Sequence, residues 1–428
     1  MRYIADLHIH SKYSRACSKD LDLEHNRLWA MKKGIQILGT GDFTHPTWLA
    51  ELKEKLVEEK PGLYKLKTPF VSPLIGGKNK EDEVLFMLTT ELSCIYKQGD
   101  KTRRIHICVF VPDFATVDTI VADLEKRGVN LKSDGRPIMG IPADELTKVV
   151  ISANKDSMVI PAHAWTPWFS VFGSKSGFDT LEECFKDQSK EIFAIETGLS
   201  SDPPMNHRLS MLDNITLISN SDAHSPANLG REANAFEIPE SELSFNEIRR
   251  ILKIRDKKRF LYTIEFFPEE GKYHHDGHRE CQVNFAPVET KKHHGLCPVC
   301  KKPLVIGVLN RVDELADRTR YDEKNFIPHK HIVPLPEIIA ESYGYGKASK
   351  KVQQAYEEFI AKGGSEFEIL LDKPYEELAR FTIPEVVQGI QNVREGRVRP
   401  VAGYDGVYGV IKALKDGASL KDKQKTLL

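Results

Sequence analysis

Arg2-Tyr3-Ile4-Ala5-Asp6-Leu7-His8-Ile9-His10-Ser11 is the stretch on which the reading of this chain turns. Residues 3 to 10 alternate as a strand does, and residues two apart in a strand share a face. His8 and His10 therefore point one way, and Leu7 and Ile9 the other. Two imidazoles with Asp6 beside them suit a first-row metal ion, because neutral imidazole binds zinc, iron or manganese and a carboxylate balances the charge. On its own the pattern is equally that of a strand carrying two chance histidines.

The rest of the chain repeats the device. Ile37-Leu38-Gly39-Thr40-Gly41-Asp42 ends an apolar run on Asp42, with His45 just beyond; Phe86 to Glu91 delivers Glu91; Arg104 to Phe110 carries His106. Val159 to His163 ends on His163, Ile192 to Glu196 on Glu196, and Thr216 to His224 on Asp222 and His224. Strands alternating with helical segments predict a parallel α/β barrel, which gathers functional groups at the carboxyl ends of its strands.

Composition narrows the partners. With 61 Lys and Arg against 62 Asp and Glu, the formal net charge is −1, so any nucleic-acid surface must be local rather than global. No apolar stretch reaches membrane-spanning length, and the opening MRYIADLHIH reads as a strand rather than a signal sequence. Seven cysteines without an extracellular framework point to a reducing compartment, the cytoplasm.

Helices are expected over 21–33, closed by Gly34, then 48–59, 118–126, 144–153 and 243–252, with 130–140 as an inserted loop. After His163 comes Ala164-Trp165-Thr166-Pro167-Trp168-Phe169. This loop is either packed by its own rings or forms a base-stacking lip through Trp165.

Beyond Ile254 the pattern changes. His278-x2-Cys281 followed by Cys297-x2-Cys300 has the spacing of a closed structural zinc site, and His278 wins over His274, His275, His293 and His294 on spacing. A mostly helical region follows, with helices expected over 350–362, 375–378 and 383–395. The tail carries Arg394, Arg397, Arg399, Tyr404 and Tyr408 among glycines. These residues suit phosphate contact and base stacking, or a solvated basic turn.

The set His8-x-His10, Asp42, Glu91, His106, His163 and Asp222-x-His224 resembles the polymerase and histidinol phosphatase (PHP) superfamily. That resemblance implies a distorted seven-stranded (β/α) barrel with two or three divalent ions (Zn, Mg, Mn or Fe). The family's Thr-Asp-His motif is replaced here by Gly41-Asp42-Phe43, with His45 the nearest histidine, and Arg15-Ala16-Cys17 stands where a further ligand is usual. The order of the parts is more specific. The Asp6-Leu7-His8-Ile9-His10-Ser11 opening, Gly41 to Pro46, Asp276-Gly277-His278-Arg279 and Gly403 to Gly409 together resemble the endonuclease Q family over essentially the whole chain.

The resemblance implies an α/β PHP barrel (1–262), a zinc-binding module with one structural zinc (263–318) and a mainly helical C-terminal domain (319–428). It implies a DNA repair endonuclease that cuts 5′ to hypoxanthine, uracil, xanthine or an abasic site. His8, His10, His45, Glu91, Asp222 and His224 are the catalytic candidates. The barrel ligands are His8, His10, Glu91, His106, His163, Asp222 and His224, with Asp42 and Glu196 in contact with the ions or one step behind. Trp165, Arg394, Arg397, Arg399, Tyr404 and Tyr408 are the DNA candidates. A PHP phosphomonoesterase acting on a small metabolite and a non-catalytic nucleic-acid-binding protein are the rival readings.

Overall fold

The computed structural model describes residues 1–68, 74–79 and 84–420. Its strands include β1 (Arg2–Asp6), β2 (Ile37–Gly39), β3 (Leu85–Gln98), β4 (Lys101–Val111), β5 (Met158–Pro161), β6 (Ala194–Glu196), β7 (Thr216–Ile218), β8 (Ala233–Glu237), β9 (Phe260–Phe266) and β10 (His329–Ile332). The main sheet runs β5-β4-β3-β2-β1-β8-β9-β10, and β6 and β7 form a separate parallel pair. The fold is mixed α/β.

Strand direction departs from the all-parallel expectation. β1 to β2 and β2 to β3 are parallel, whereas β3 and β4 form a long antiparallel hairpin across the Gly99-Asp100 turn, and β5 and β8 also join antiparallel. A turn this short leaves no room for the crossover that a parallel pair needs.

Alternation sorts the strand residues into two layers. Ala5, Leu7, Ile37, Met87, Cys108, Ile160, Ala194 and Ile218 share one buried cluster. Their neighbours Ile4, Leu38, Phe86, Leu88, Ile107, Val109, Val159, Ile195 and Leu217 join the larger one, which continues into the helices. All seven strands from β1 to β7 thus send alternate side chains to a common interior, as period-two geometry requires. Helix Phe245–Ile254, capped by the Ser244 side chain, closes that interior with Phe245, Ile248, Ile251 and Leu252.

Helix Leu23–Lys33 starts at the Asp22 cap and stops at Gly34 in the left-handed conformation. The helix expected over 48–59 runs instead over Pro46–Lys55, because Leu56–Lys60 pairs with Leu63–Leu66 as a β-ribbon. The boundary expected after 262 falls inside β9, whose apolar alternation carries on to Phe266. β10, from the region expected to be helical, adds to β9 in parallel. Around it lie helices Leu335–Tyr343, Lys350–Gly363, Tyr375–Leu378 and Pro384–Arg394. The chain end at 428 lies outside the described residues. No helix among them is long and apolar enough to cross a membrane.

Candidate metal centre and zinc module

The strand of the opening motif ends at Asp6, yet His8 and His10 still converge, with ring centroids 5.6 Å apart. Asp6 turns away from them: its carboxylate accepts from the backbone N–H groups of Ser221 (3.0 Å) and Gly230 (2.9 Å). It ties the Asp222 turn to β1 rather than meeting a metal.

Ligand atoms of His8, His10, Glu91 and Asp222 all lie within 4.8 Å of one another, as do those of Glu91, His106 and His163. Glu91, wholly buried, belongs to both groups. Its Oε2 faces His10 Nε2 (3.3 Å) and His8 Nε2 (3.7 Å), and its Oε1 faces His106 Nδ1 (2.7 Å) and His163 Nε2 (3.1 Å). Asp222 Oδ1 completes the first group, 3.0 Å from His10 Nε2. His163 and Asp222 have positive φ, as does Asp42, a conformation non-glycine residues rarely adopt outside functional turns.

The electrostatics suit cations. Burial works against the charge on Glu91, but Arg136 and the hydrogen bonds from His10 and His106 outweigh burial and hold its carboxyl well below the usual range. Asp222 is likewise held low by His10, His8 and His224 against the effect of burial. Burial pushes His106 down to about 4 despite the attraction of Glu91, leaving the neutral ring that a metal ligand must be. His8 Nε2 is buried with no hydrogen-bond partner, a cost that a bound cation removes. The donors fit divalent metals.

The candidates Asp42 and Glu196 stand one step behind the histidines. Asp42 Oδ1 meets His10 Nδ1 at 3.1 Å, and its Oδ2 accepts from Ser11 N, Ser11 Oγ and Ser14 Oγ. Glu196 accepts from His8 Nδ1 (3.0 Å), His163 N (2.8 Å) and Asn220 Nδ2 (3.0 Å). With their oxygens already taken by donors, both orient imidazoles, which is how outer carboxylates commonly act. Cys108 lies close behind His8 and Glu196, but burial pushes its thiol to about 12, so it packs there as a neutral group.

His45 and His224 are not gathered into either ligand group. His45 caps helix Pro46–Lys55 and stacks on Tyr13 at 4.5 Å, because Phe43 rather than a histidine follows Asp42 and is buried in the core. His224 donates from Nδ1 to the Asp222 carbonyl (2.8 Å) and sets its ring against His10 at 4.7 Å. Burial pushes the Cys17 thiol up to about 11, opposed by His10 and reinforced by Asp42 and Asp222.

One residue of this centre escaped the sequence reading. Arg136, from the inserted loop, reaches Glu91 Oε2 with Nη1 at 2.9 Å. The flanking glycine and proline in Gly135-Arg136-Pro137 were the available signal for a residue held in a fixed turn.

In the second module, His278, Cys281, Cys297 and Cys300 bring their ligand atoms within 4.8 Å of one another. A tetrahedron of ligands about 2.3 Å from zinc has edges of about 3.8 Å, and Cys300 Sγ lies 3.6 Å from His278 Nδ1. Burial raises the Cys297 thiol, but the backbone N–H groups of Cys300 and Val299 aimed at it outweigh that and bring it down to about 7. Two of the rival histidines are engaged elsewhere: His275 with Asn284 (2.9 Å) and His293 stacked on Phe285 (4.9 Å).

Half of the DNA candidates are structural. Trp165 is 1% exposed, with its indole N–H donating to Asn206 at 2.7 Å; it packs the loop from inside. Arg394 donates to the carbonyls of Leu370, Lys373 and Ile369, closing the turn over 368–372. Tyr404 lies against Gly277 of the hairpin formed by Asp276–His278 and Val283–Phe285, so closely that a Cβ there would stand 2.4 Å from Tyr404 Cδ2. Arg397 and Arg399 remain on the surface, paired with Glu395 and Asp416, and Tyr408 is 56% exposed beneath Lys272.

Two clustered ligand groups sharing a carboxylate on an α/β scaffold, with a separate module of one histidine and three cysteines, define a metal-binding enzyme of the hydrolase kind. The MJ0043 C-terminal domain family matches residues 334–397. The MJ0043 protein of Methanocaldococcus jannaschii is 34% identical over 58% of this chain, and the chain spans 31% of that longer protein. YqxK of Bacillus subtilis is 30% identical over 95% of this chain and 98% of its own length. Among solved structures, the lesion-specific endonuclease PfuEndoQ from Pyrococcus furiosus superimposes with a TM-score of 0.83 at 30% identity, covering 99% of each chain. An endonuclease Q bound to a 27-mer duplex with an abasic lesion superimposes with a TM-score of 0.84 at 30% identity, covering 98% of each. The chain belongs to the endonuclease Q family.

Proposed function

We propose that this chain is a lesion-specific DNA repair endonuclease that hydrolyses the phosphodiester 5′ to an abasic site or a deaminated base. The observation that carries the reading is the Glu91 carboxylate shared by two ligand groups, in a chain matched along its whole length to a DNA-bound endonuclease Q. Strands β1 to β7 form the distorted seven-stranded barrel of this reading, followed by the zinc-binding module and the helical C-terminal region. Its compartment is the cytoplasm.

His8, His10, Glu91 and Asp222 would hold one divalent ion, and Glu91, His106 and His163 a second. When bound, such a pair supplies hydroxide at neutral pH and neutralises the phosphate. Glu196 and Asp42 fix the tautomers of His8 and His10, so that each presents Nε2 to the centre. His278, Cys281, Cys297 and Cys300 would hold one zinc. The metal would supply folding energy for a hairpin whose own core is only Val283, Cys297 and Leu304 with Cys281 and Phe285 beside them. Arg397, Arg399 and Tyr408 are the exposed tail groups suited to grip the strand.

The test is a labelled duplex carrying one abasic site, hypoxanthine or uracil. Cleavage 5′ to the lesion is expected, abolished by chelator and restored by divalent metal. Equal cutting of undamaged DNA, or faster turnover of small phosphomonoesters, would overturn the reading.

A further inference from the structure

We propose that Arg136 is a further catalytic residue, whose guanidinium grips a non-bridging oxygen of the scissile phosphate at the Glu91 edge of the metal centre. The proposal rests on the endonuclease reading above, and its support is in how the loop around Arg136 is held.

That loop is fastened on both sides of the arginine. Gly135 N donates to the Tyr13 carbonyl (3.1 Å), while Arg136 N (3.1 Å) and Arg15 N (3.2 Å) both donate to Asp134 Oδ1. On the far side Ser93 N donates to the Pro137 carbonyl (3.2 Å), and Ile138–Met139 adds to the edge of β3 at Ser93 and Cys94. A Cβ on Gly135 would stand 2.3 Å from Asp42 Oδ2 and 2.4 Å from Ser14 Oγ. Only glycine lets the backbone lie this close to the carboxylate that orients His10. The segment is therefore built to deliver one side chain to one place.

The place is the metal centre. Arg136 Nη1 meets the Glu91 oxygen that faces His8 and His10, and the side chain is 24% exposed, so it borders both the ligand groups and the solvent from which DNA arrives. A guanidinium has no lone pair to offer a metal and cannot lose its charge. Cations held by these ligands would repel the Arg136 guanidinium and compete with it for Glu91. The anion that enters with them is the phosphate, and a planar fork of N–H donors matches phosphate oxygens better than it does a carboxylate already shared by histidines. An arginine standing beside the reacting phosphorus favours the charge that builds on the equatorial oxygens during displacement.

The alternative role is that of a counter-ion for Glu91. The two are separated by comparing the metal-loaded wild type with Arg136→Ala and Arg136→Lys, in cleavage of an abasic-site duplex and in calorimetric titration with inorganic phosphate. Arg136→Ala is expected to lower kcat by about a hundredfold or more with KM little changed. Its metal content by elemental analysis should match the wild type, its phosphate affinity should fall, and added guanidinium should restore part of the rate. Arg136→Lys should keep phosphate affinity better than it keeps kcat, because a point charge lacks the fork. Unaltered kcat and phosphate affinity in Arg136→Ala, or metal lost in step with activity, would overturn the proposal. Wild type that binds phosphate through Arg136 but cuts no DNA would overturn the endonuclease reading and the catalytic role with it, leaving only an anion site.

Discussion

Glu196 Oε2 stands 3.0 Å from His8 Nδ1, and this contact decides what the opening motif does. A carboxylate on Nδ1 keeps the proton there and leaves Nε2 as the lone-pair nitrogen, the atom that faces Glu91 and Asp222. Glu196→Gln keeps the size but presents an amide that can donate as well as accept. A divalent ion at this centre should then bind about 10- to 100-fold more weakly, the usual effect of losing such a partner. Competition with a fluorescent chelator measures it, and unchanged affinity would remove Glu196 from the centre.

The zinc module makes a sharper claim, because so little else holds it. Its cluster of Val283, Cys297 and Leu304 is small, and Cys297→Ser with Cys300→Ser should release about one zinc per chain and loosen the hairpin. Tyr404 rests on that hairpin, and Asp405 Oδ2 accepts from Arg279 N at 2.7 Å. Protection from hydrogen exchange should therefore fall at 403–409 as well as at 276–300. Loss of zinc with exchange at 403–409 unaltered would refute the coupling.

How far this site could be read from sequence depended on the reach of each residue's partners. His8 and His10 were legible from the period-two alternation of the opening stretch, and Glu91 and Asp222 because each closes an apolar run, strand ends being where a sheet of this kind gathers its chemistry. Cys281, Cys297 and Cys300 were legible from spacing alone. Trp165 was misread because what buries it is Asn206, on a different segment, and Arg394 because its partners are carbonyls at 369, 370 and 373. Neither relation leaves a periodic trace. Arg136 sits in a loop with no periodicity at all, and β8 and β10, short strands that extend the sheet on the far side of β1, were passed over for the same reason.

Glu270 gives a pH signature remote from the metals. It is buried beside the Arg399–Val401 and Val410–Lys412 ribbon; Oε1 accepts from Ile411 N (3.3 Å) and Oε2 has no partner. Burial, with Glu337 nearby, raises its carboxyl to about 9. A carboxyl raised on folding is neutral in the native state and ionised in the unfolded chain between the two values. Its relative stabilisation is complete below about 4 and is lost as pH rises toward 9. Glu270→Gln cannot ionise, so it should unfold at a higher temperature than wild type at pH 8, and the gap should close toward pH 5. Thermal melts across that range measure it, and a gap that is constant with pH would show that Glu270 does not titrate there.

The tail arginines should separate into two kinds, because their surroundings differ. Arg394 spends its guanidinium on three carbonyls, so Arg394→Ala leaves those groups without their charged donor. The expected cost is roughly 3 kcal/mol of stability, read as a lower melting temperature. Its effect on the salt dependence of DNA binding should be small, since three of its five N–H donors are already held by those carbonyls. Arg399 is bound to Asp416 at 3.1 and 3.2 Å and to the Leu414 carbonyl at 2.8 Å, and its side chain is half exposed. An exposed pair of this sort contributes little to folding, and a phosphate can take the place of Asp416. Arg399→Ala should therefore melt near wild type but flatten the plot of log affinity against log salt by about 0.9, the slope carried by one phosphate contact on duplex DNA. Arg397→Ala should act likewise, and the two together should flatten it by about twice as much. Damaged and undamaged duplexes should be affected equally, because phosphate contacts carry no information about the base. If Arg399→Ala keeps the wild-type slope, the tail is a solvated turn and the grip on the strand lies elsewhere. If Arg394→Ala flattens it without loss of stability, the capping assignment fails instead.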